Sequence, residues 1–229
     1  MVKSDLLIAK LTDEKTDNES FPWLSHKSIK LCGEDARVLK VSYAGEKGFE
    51  IHVHNNSMKK IYDELVQHGE NFNLIHFGML ALDSMRLEKN YRSWKSDLTS
   101  DYTMLQSGLE KWIKFDKGNF IGKEALKNEF DLGTSKKFVT LVVDDPEDNK
   151  PFGEPVYLSP VFAGDDYLGP IVSSGYGHRV KKSISMAILD DRNLNGLNDQ
   201  LYIDVLGRKR KAYIVNEALY DPENLKLRS

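Results

Sequence analysis

A single cysteine, Cys32, leaves no disulfide framework to build. Long apolar runs are also missing. No stretch approaches the roughly 18 residues of a spanning helix, and the first ten residues mix acid and base with one short apolar run, Leu6 to Ile8. Neither charge sign dominates: 32 basic side chains face 35 acidic ones, so no strong field favours nucleic acid or a membrane surface. Glycine-rich phosphate loops, zinc-ligand spacings and a nucleophile elbow are absent as well. These absences predict a reducing, cytoplasmic setting, with no metal and with neither nucleic acid nor membrane as partner.

What is present is the material of an ordinary globular protein. At 229 residues and 40% apolar composition the chain can bury one large core or two smaller ones. Ser4-Asp5 before Leu6, Leu7, Ile8 and Leu11 reads as a capped short helix, followed by a polar loop. Phe21 and Trp23 then stand with nothing local to bury them, which suggests packing against chain beyond this sequence. Ala36 to Tyr43 and Phe49 to His54 read as strands joined by the turn residues Gly45-Glu46-Lys47-Gly48, a hairpin. Helical periods run from Ser57 to Gly69 and from Phe77 to Lys89. A loop from Tyr91 to Asp97, a short helix near Tyr102 to Leu109, a strand Lys111 to Phe115 and a helix Gly122 to Phe130 follow. Beyond Gly133-Thr134 only strands are predicted: Phe138 to Val143, Val156 to Leu158, Tyr167 to Ser173, Ser183 to Leu189, Leu201 to Leu206 and Lys211 to Val215. The reading is an α+β portion over residues 1–134, then a small six-stranded antiparallel β-barrel over 135–229.

The hairpin holds the first candidate site. With a four-residue loop, Tyr43 faces Glu50 across the strands, their Cβ atoms about 5 Å apart. Phe49, Ile51 and Val53 occupy the other face. A carboxylate beside a phenol on a rigid strand pair suits a flat nitrogen heterocycle, because the carboxylate accepts two adjacent N–H donors. A solvated strand face is the plainer reading. His52 and His54 share one strand face, yet no third ligand stands at useful spacing, so they read as surface histidines. Ser173-Ser174-Gly175-Tyr176-Gly177-His178 reads as a turn between barrel strands, and Arg208-Lys209-Arg210-Lys211 as a solvated turn after Gly207.

Several segments, in order along the chain, resemble the glycine-cleavage aminomethyltransferase (T-protein) family. Val41-Ser42-Tyr43-Ala44-Gly45-Glu46-Lys47-Gly48-Phe49-Glu50-Ile51 is similar to its Gly-Tyr-Thr-Gly-Glu-x-Gly-aromatic-Glu-Ile hairpin. Ala81-Leu82-Asp83-Ser84-Met85-Arg86-Leu87-Glu88 resembles its Ala-Arg-Asp-Ser-Leu-Arg-Leu-Glu helix, and Phe120-Ile121-Gly122-Lys123-Glu124-Ala125-Leu126 its Phe-Ile-Gly-Arg-Glu-Ala-Leu. Gly153-Glu154-Pro155-Val156, Ser173 to Gly177 and Leu219-Tyr220-Asp221-Pro222 match within the barrel half. Tyr91 to Thr99, with Leu82 in place of arginine, is more similar to the folate domains of dimethylglycine and sarcosine dehydrogenases.

The resemblance implies a partial folate-binding aminomethyltransferase domain and the family's C-terminal barrel. Tetrahydrofolate is the implied cofactor, with Tyr43 and Glu50 as pterin contacts. It also implies that a one-carbon unit passes from an aminomethyl or methylated-amine donor to tetrahydrofolate. Leu82 removes the arginine that the glycine-cleavage enzymes place near the folate tail, a role open to Arg86 or Arg92. The family's catalytic aspartate belongs to an earlier N-terminal segment, and Asp83 and Asp97 are only the nearest aspartates, so the catalytic residue is unknown. The alternative is a non-catalytic folate-binding half of a split protein, completed by a partner chain or by self-association.

Overall fold

The computed structural model describes residues 3–144, 153–191, 194 and 201–228. The chain separates into two compact units, Met1–Lys89 with Asp221–Ser229, and Asn90–Tyr220. Its mixed helix and strand content and closed antiparallel barrel are the fold class expected from the sequence.

The first unit is built on a three-stranded antiparallel sheet of β1 (His26–Leu31), β2 (Glu34–Leu39) and β3 (Glu50–Val53), in that order. β1 was not anticipated. It joins β2 through the two-residue turn Cys32-Gly33, both at positive φ, the geometry that matches strand twist. One sheet face packs Ile29, Leu31, Ala36 and Val38 against Ile8 of helix α1 (Ser4–Ile8) and Ile61 of helix α2 (Asn55–Gly69). Phe21 is fully buried in this cluster with its ring 5.8 Å from that of Phe49, so it finds cover within the chain. Helix α3 (Met79–Glu88) ends with Arg86, Leu87 and Glu88 buried. Ser4 does not cap α1; its hydroxyl donates to the Lys47 carbonyl at 2.9 Å.

The expected tight hairpin is not formed. β2 stops at Leu39 and β3 starts at Glu50, leaving a ten-residue loop, 40–49, with Leu39 opposite Glu50. Tyr43 and Glu50 are therefore not cross-strand partners. After Leu39 the backbone turns to other neighbours: Lys40 N–H donates to the Ser25 carbonyl and Leu24 N–H to the Lys40 carbonyl. The Lys40 side chain then enters the core.

In the second unit, β4 (Lys136–Val143), β5 (Pro160–Ala163), β6 (Asp166–Gly177), β7 (Lys182–Asp190), β8 (Leu201–Val205) and β9 (Arg208–Val215) close an antiparallel barrel in the order β4-β7-β6-β5-β8-β9. Its interior is one apolar cluster that includes Val139, Leu141, Ala187, Leu189 and Ile203. The other face of β4 is covered by the preceding loop. Phe138 N–H donates to the Gln106 carbonyl at 2.9 Å, Thr140 Oγ1 bonds Asn90 Oδ1 at 2.8 Å, and Arg92 lies over the Phe138 ring at 4.2 Å.

Several expectations fail locally. Residues 102–109 form turns rather than a helix, and residues 111–115 hold part of a 3₁₀ turn, Glu110–Trp112, but no strand. Trp112 is exposed, so its alternating pattern has no sheet to serve. Residues 156–158 lead into β5 instead of forming it. Ser173 to Gly177 lie within β6, after a bulge near Ile171. Arg208 to Lys211 belong to β9, and Arg210 is buried, donating to the carbonyls of Asp144 and Gly153. Helix α4 (Lys123–Leu132) forms as read.

Candidate functional site

Glu50 opens β3 on the outward face of the sheet, its side chain 56% exposed and its Oε2 3.6 Å from His52 Nε2. Alternation leaves Glu50 and His52 on this face with Arg37 of β2 and with His26 and Ser28 of β1. A groove of about 1340 Å³ runs over the same face, with residues 28–30, 35–37 and 52–54 among its lining and residues 9–14 as a wall. Leu39, directly opposite Glu50, also lines it. A carboxylate at this edge is open to a ligand.

Tyr43, half-buried, sits in loop 40–49, which three lysines hold in place. Lys47 Nζ meets Asp5 Oδ2 at 2.6 Å, at the start of α1. The Lys40 ammonium donates to Thr16 O at 3.2 Å and Asn18 Oδ1 at 2.9 Å, above the Phe21 and Phe49 rings. Burial pushes its pKa below the ordinary 10.5, against the pull of the Asp5 carboxylate. The third support comes from Lys89, whose Nζ donates to Asp221 O at 2.6 Å and Asn224 Oδ1 at 2.7 Å, with Asp221 Oδ2 at 3.3 Å. Its stem runs beneath Gly45, where φ is +79° and a Cβ would overlap Lys89 Cγ. Because both ends of Lys89 are fixed, only glycine fits there. The short helix α5 (Leu225–Arg228) follows this anchor.

The other residues singled out in the sequence have local partners. Arg86 Nε donates to Asp83 Oδ1 at 3.0 Å from a buried position, and Leu82 is half-buried. Arg92 stacks on Phe138 and donates to the Gly108 carbonyl at 3.1 Å, its pKa lowered by burial. Asp97 is fully buried, accepting from Ser93 N–H at 2.7 Å and from the Ser173 hydroxyl, so it ties its loop to β6. Among the described residues no three His, Cys, Asp or Glu side chains are grouped to hold a metal. Cys32 is half-buried, and burial with the nearby Glu64 raises its thiol pKa. Lys40, Lys89 and Asp221 were not anticipated as supports of the site. Asp221 stood out only as part of a family motif, and nothing local marks either lysine as buried.

Two family models match the chain. "GCVT N-terminal domain" covers residues 3–117, and "Glycine cleavage T-protein C-terminal barrel domain" covers residues 136–221. Human mitochondrial dimethylglycine dehydrogenase is 29% identical over 218 residues, 93% of this chain and 24% of that protein. The aminomethyltransferase of Thermoanaerobacter sp. (strain X514) is 30% identical over 219 residues, 95% of this chain and 57% of the relative. The chain thus spans about a quarter of one relative and little more than half of the other. The crystal structure of glycine cleavage system aminomethyltransferase T from Bartonella henselae superposes with a TM-score of 0.79 at 18% identity, covering 95% of this chain and 57% of that one. It has the same fold.

Proposed function

Because the chain belongs to the glycine cleavage T-protein family, we propose that it acts in one-carbon transfer to tetrahydrofolate, with Glu50 and Tyr43 as the pterin contacts. The observation that carries this reading is the placement of Glu50: an ionisable side chain at the edge of a grooved sheet face, beside the loop that bears Tyr43. A pterin presents adjacent N–H donors, and a carboxylate accepts both. The buried Lys40 and the Lys89 anchor hold the loop still, which lowers the ordering cost of binding. The donor is an aminomethyl group, or the iminium that a separate two-electron oxidation makes of a methylated amine. Folate N5 and then N10 bond to its methylene carbon, while the amine and any carrier group leave with the protons that the two nitrogens give up.

Calorimetric titration with tetrahydrofolate tests the site. Glu50→Gln keeps the size and removes the charge, so affinity should fall by about 1.5 to 3 kcal/mol, the range for a hydrogen bond to a charged group. Equal affinity in both proteins would remove Glu50 from the site.

A second reading is a folate-binding half that takes its catalytic aspartate from a partner chain. The engagement of Asp83 by Arg86, and of Asp97 by Ser93 and Ser173, favours it. So do Ile75 and Leu80, 80% and 87% exposed, with Phe77 and Met79 beside them, since such a patch marks association with another chain or a second copy. Under this reading the isolated chain, given tetrahydrofolate, releases no amine from an aminomethyl donor. Turnover near the enzyme median of about 10 s⁻¹ would set it aside.

A further inference from the structure

The sheet face that carries Glu50 offers the opposite chemistry one row further along. Register places Ser28 of β1 and His52 of β3 directly across from Arg37, on either side of the middle strand. Their Cβ atoms lie about 5 Å from that of Arg37. The guanidinium thus rises between a hydroxyl and an imidazole, on the floor of a groove that Lys10 and His54 also line. Three lysines of this unit are neutralised: Lys30 by Asp35 at 2.9 Å, Lys60 by Glu34 at 2.9 Å and Lys47 by Asp5 at 2.6 Å. Arg37 differs. Its side chain has no hydrogen bond or ion pair among the described residues. Asp35, the nearest acid on its own strand, is taken up by Lys30, and Asp13 and Glu14 belong to the wall formed by residues 9–14.

We propose that Arg37, flanked by Ser28 and His52, is a carboxylate-binding site. A guanidinium offers two parallel N–H groups that match the two oxygens of a carboxylate, a match an ammonium cannot make. The Ser28 hydroxyl and a His52 ring N–H supply further donors. Arg37 and Glu50 are diagonal neighbours on one face, about 7 to 8 Å apart at the backbone, and His52 lies 3.6 Å from Glu50. The face therefore offers an acceptor for N–H donors at one point and donors for a carboxylate at another. This identification of the ligand rests on the folate reading given above. Two sources fit: the glutamate end of a reduced folate, or the carboxylate of an amino-acid one-carbon donor.

The experiment compares wild type, Arg37→Gln and Arg37→Lys in the full 229-residue chain. Each is titrated calorimetrically with tetrahydrofolate, tetrahydropteroate, which lacks the glutamate, and N,N-dimethylglycine. The Arg37 Nε–Hε resonance is followed by NMR in the same titrations and in one with free L-glutamate. Arg37→Gln should weaken the carboxylate ligand by about tenfold or more and leave tetrahydropteroate unchanged, and Arg37→Lys should recover only part of the loss. A loss confined to tetrahydrofolate assigns the glutamate, and a loss confined to dimethylglycine assigns the donor. If no folate binds the wild type, yet dimethylglycine or glutamate moves the Arg37 resonance, the folate reading fails and the carboxylate site stands. If folate binds and Glu50→Gln weakens it while Arg37→Gln changes nothing, the carboxylate site is wrong and the folate reading survives. An Arg37 resonance unmoved by every carboxylate also overturns the proposal. Arg37 is exposed, so unchanged thermal unfolding verifies that both variants are folded.

Discussion

The barrel and the small sheet handle strand edges in opposite ways. Six strands close on themselves in the barrel, so every strand has two hydrogen-bonded neighbours and no edge remains. In the other unit β1 and β3 each have one neighbour within the three-stranded sheet, and the outward face carries Arg37, Glu50 and His52. Closure makes the barrel a place where little can change. The open sheet spends its face on polar side chains and relies on anchors, Lys40 and Lys89, to fix the loop beside it. Rigidity comes from pairing in one region and from a few buried cations in the other.

The largest expected effect breaks the barrel side of that contrast. Gly169 in β6 has φ +153°, and a Cβ there would run into the carbonyl oxygen of Ile188 in β7. The obstacle is backbone, which cannot step aside without opening a strand pair. Overpacking and backbone strain together should cost about 3 kcal/mol or more in Gly169→Ala, and Gly169→Val should prevent folding. Thermal unfolding of the alanine variant measures this; wild-type stability would mean that the barrel yields as a loop does.

A smaller effect isolates the anchored loop. Lys89 and Asp221 form a pair with side chains 1% and 5% exposed, and removing one partner of a buried pair leaves the other uncompensated. Asp221→Ala should cost about 3 kcal/mol. Amide exchange should quicken in residues 40–49 and not in β4 or β7. Acid should do the same reversibly. Burial pushes the Asp221 carboxyl upward, but the Lys226 N–H, the Lys89 ammonium and the Leu227 N–H outweigh it and hold the pKa below its ordinary 3.8. A depressed carboxyl contributes stability that is complete above the unfolded value and is lost as pH falls through the folded one. Loop exchange should therefore accelerate below about pH 3.8 in wild type and show no such step in Asp221→Ala.

The same contrast governs what could be read from the sequence. Barrel strands such as β4 and β7 announce themselves because both faces are buried and the residues are β-branched or aliphatic over most of their length. The one misplaced strand of the barrel, β5, begins at Pro160 and pairs that residue with Pro170. Proline usually argues against a strand, and here it stands at the strand's first position, where it is tolerated. The sheet unit was harder. Gly45 to Gly48 suit a four-residue turn locally, through glycine, glutamate and lysine, yet the loop runs from 40 to 49. What lengthens it is Lys40, drawn to Thr16, Asn18 and the Phe21 ring, partners some twenty residues away that no periodicity reveals. Alternation puts Glu50 on an outward strand face, but its neighbour across the sheet is Leu39, and nothing local signals that Arg37 shares that face. Local pattern found the strand; long-range contacts decided what stands beside Glu50.

The smallest expected effect probes the barrel's interior and carries the opposite sign. Ser185 in β7 is fully buried and pairs in register with Leu141, which belongs to the interior cluster along with its neighbours Ala187 and Leu189. Its hydroxyl finds no hydrogen-bond partner among the described residues. A buried hydroxyl without a partner bears its desolvation cost uncompensated. Ser185→Ala removes that hydroxyl, and alanine fits wherever serine does, so the variant should gain up to about 1 kcal/mol. Ser173 supplies the control, since its buried hydroxyl donates to Asp97. Ser173→Ala leaves a carboxylate short of one donor and should lose about 1 to 3 kcal/mol. The two substitutions delete the same atom from neighbouring strands of one barrel, one hydroxyl with a partner and one without. Chemical denaturation of both variants reads the difference directly. Loss of stability in Ser185→Ala comparable to that in Ser173→Ala would show that the Ser185 hydroxyl is satisfied after all, and that the barrel interior is less purely apolar than its closure implies.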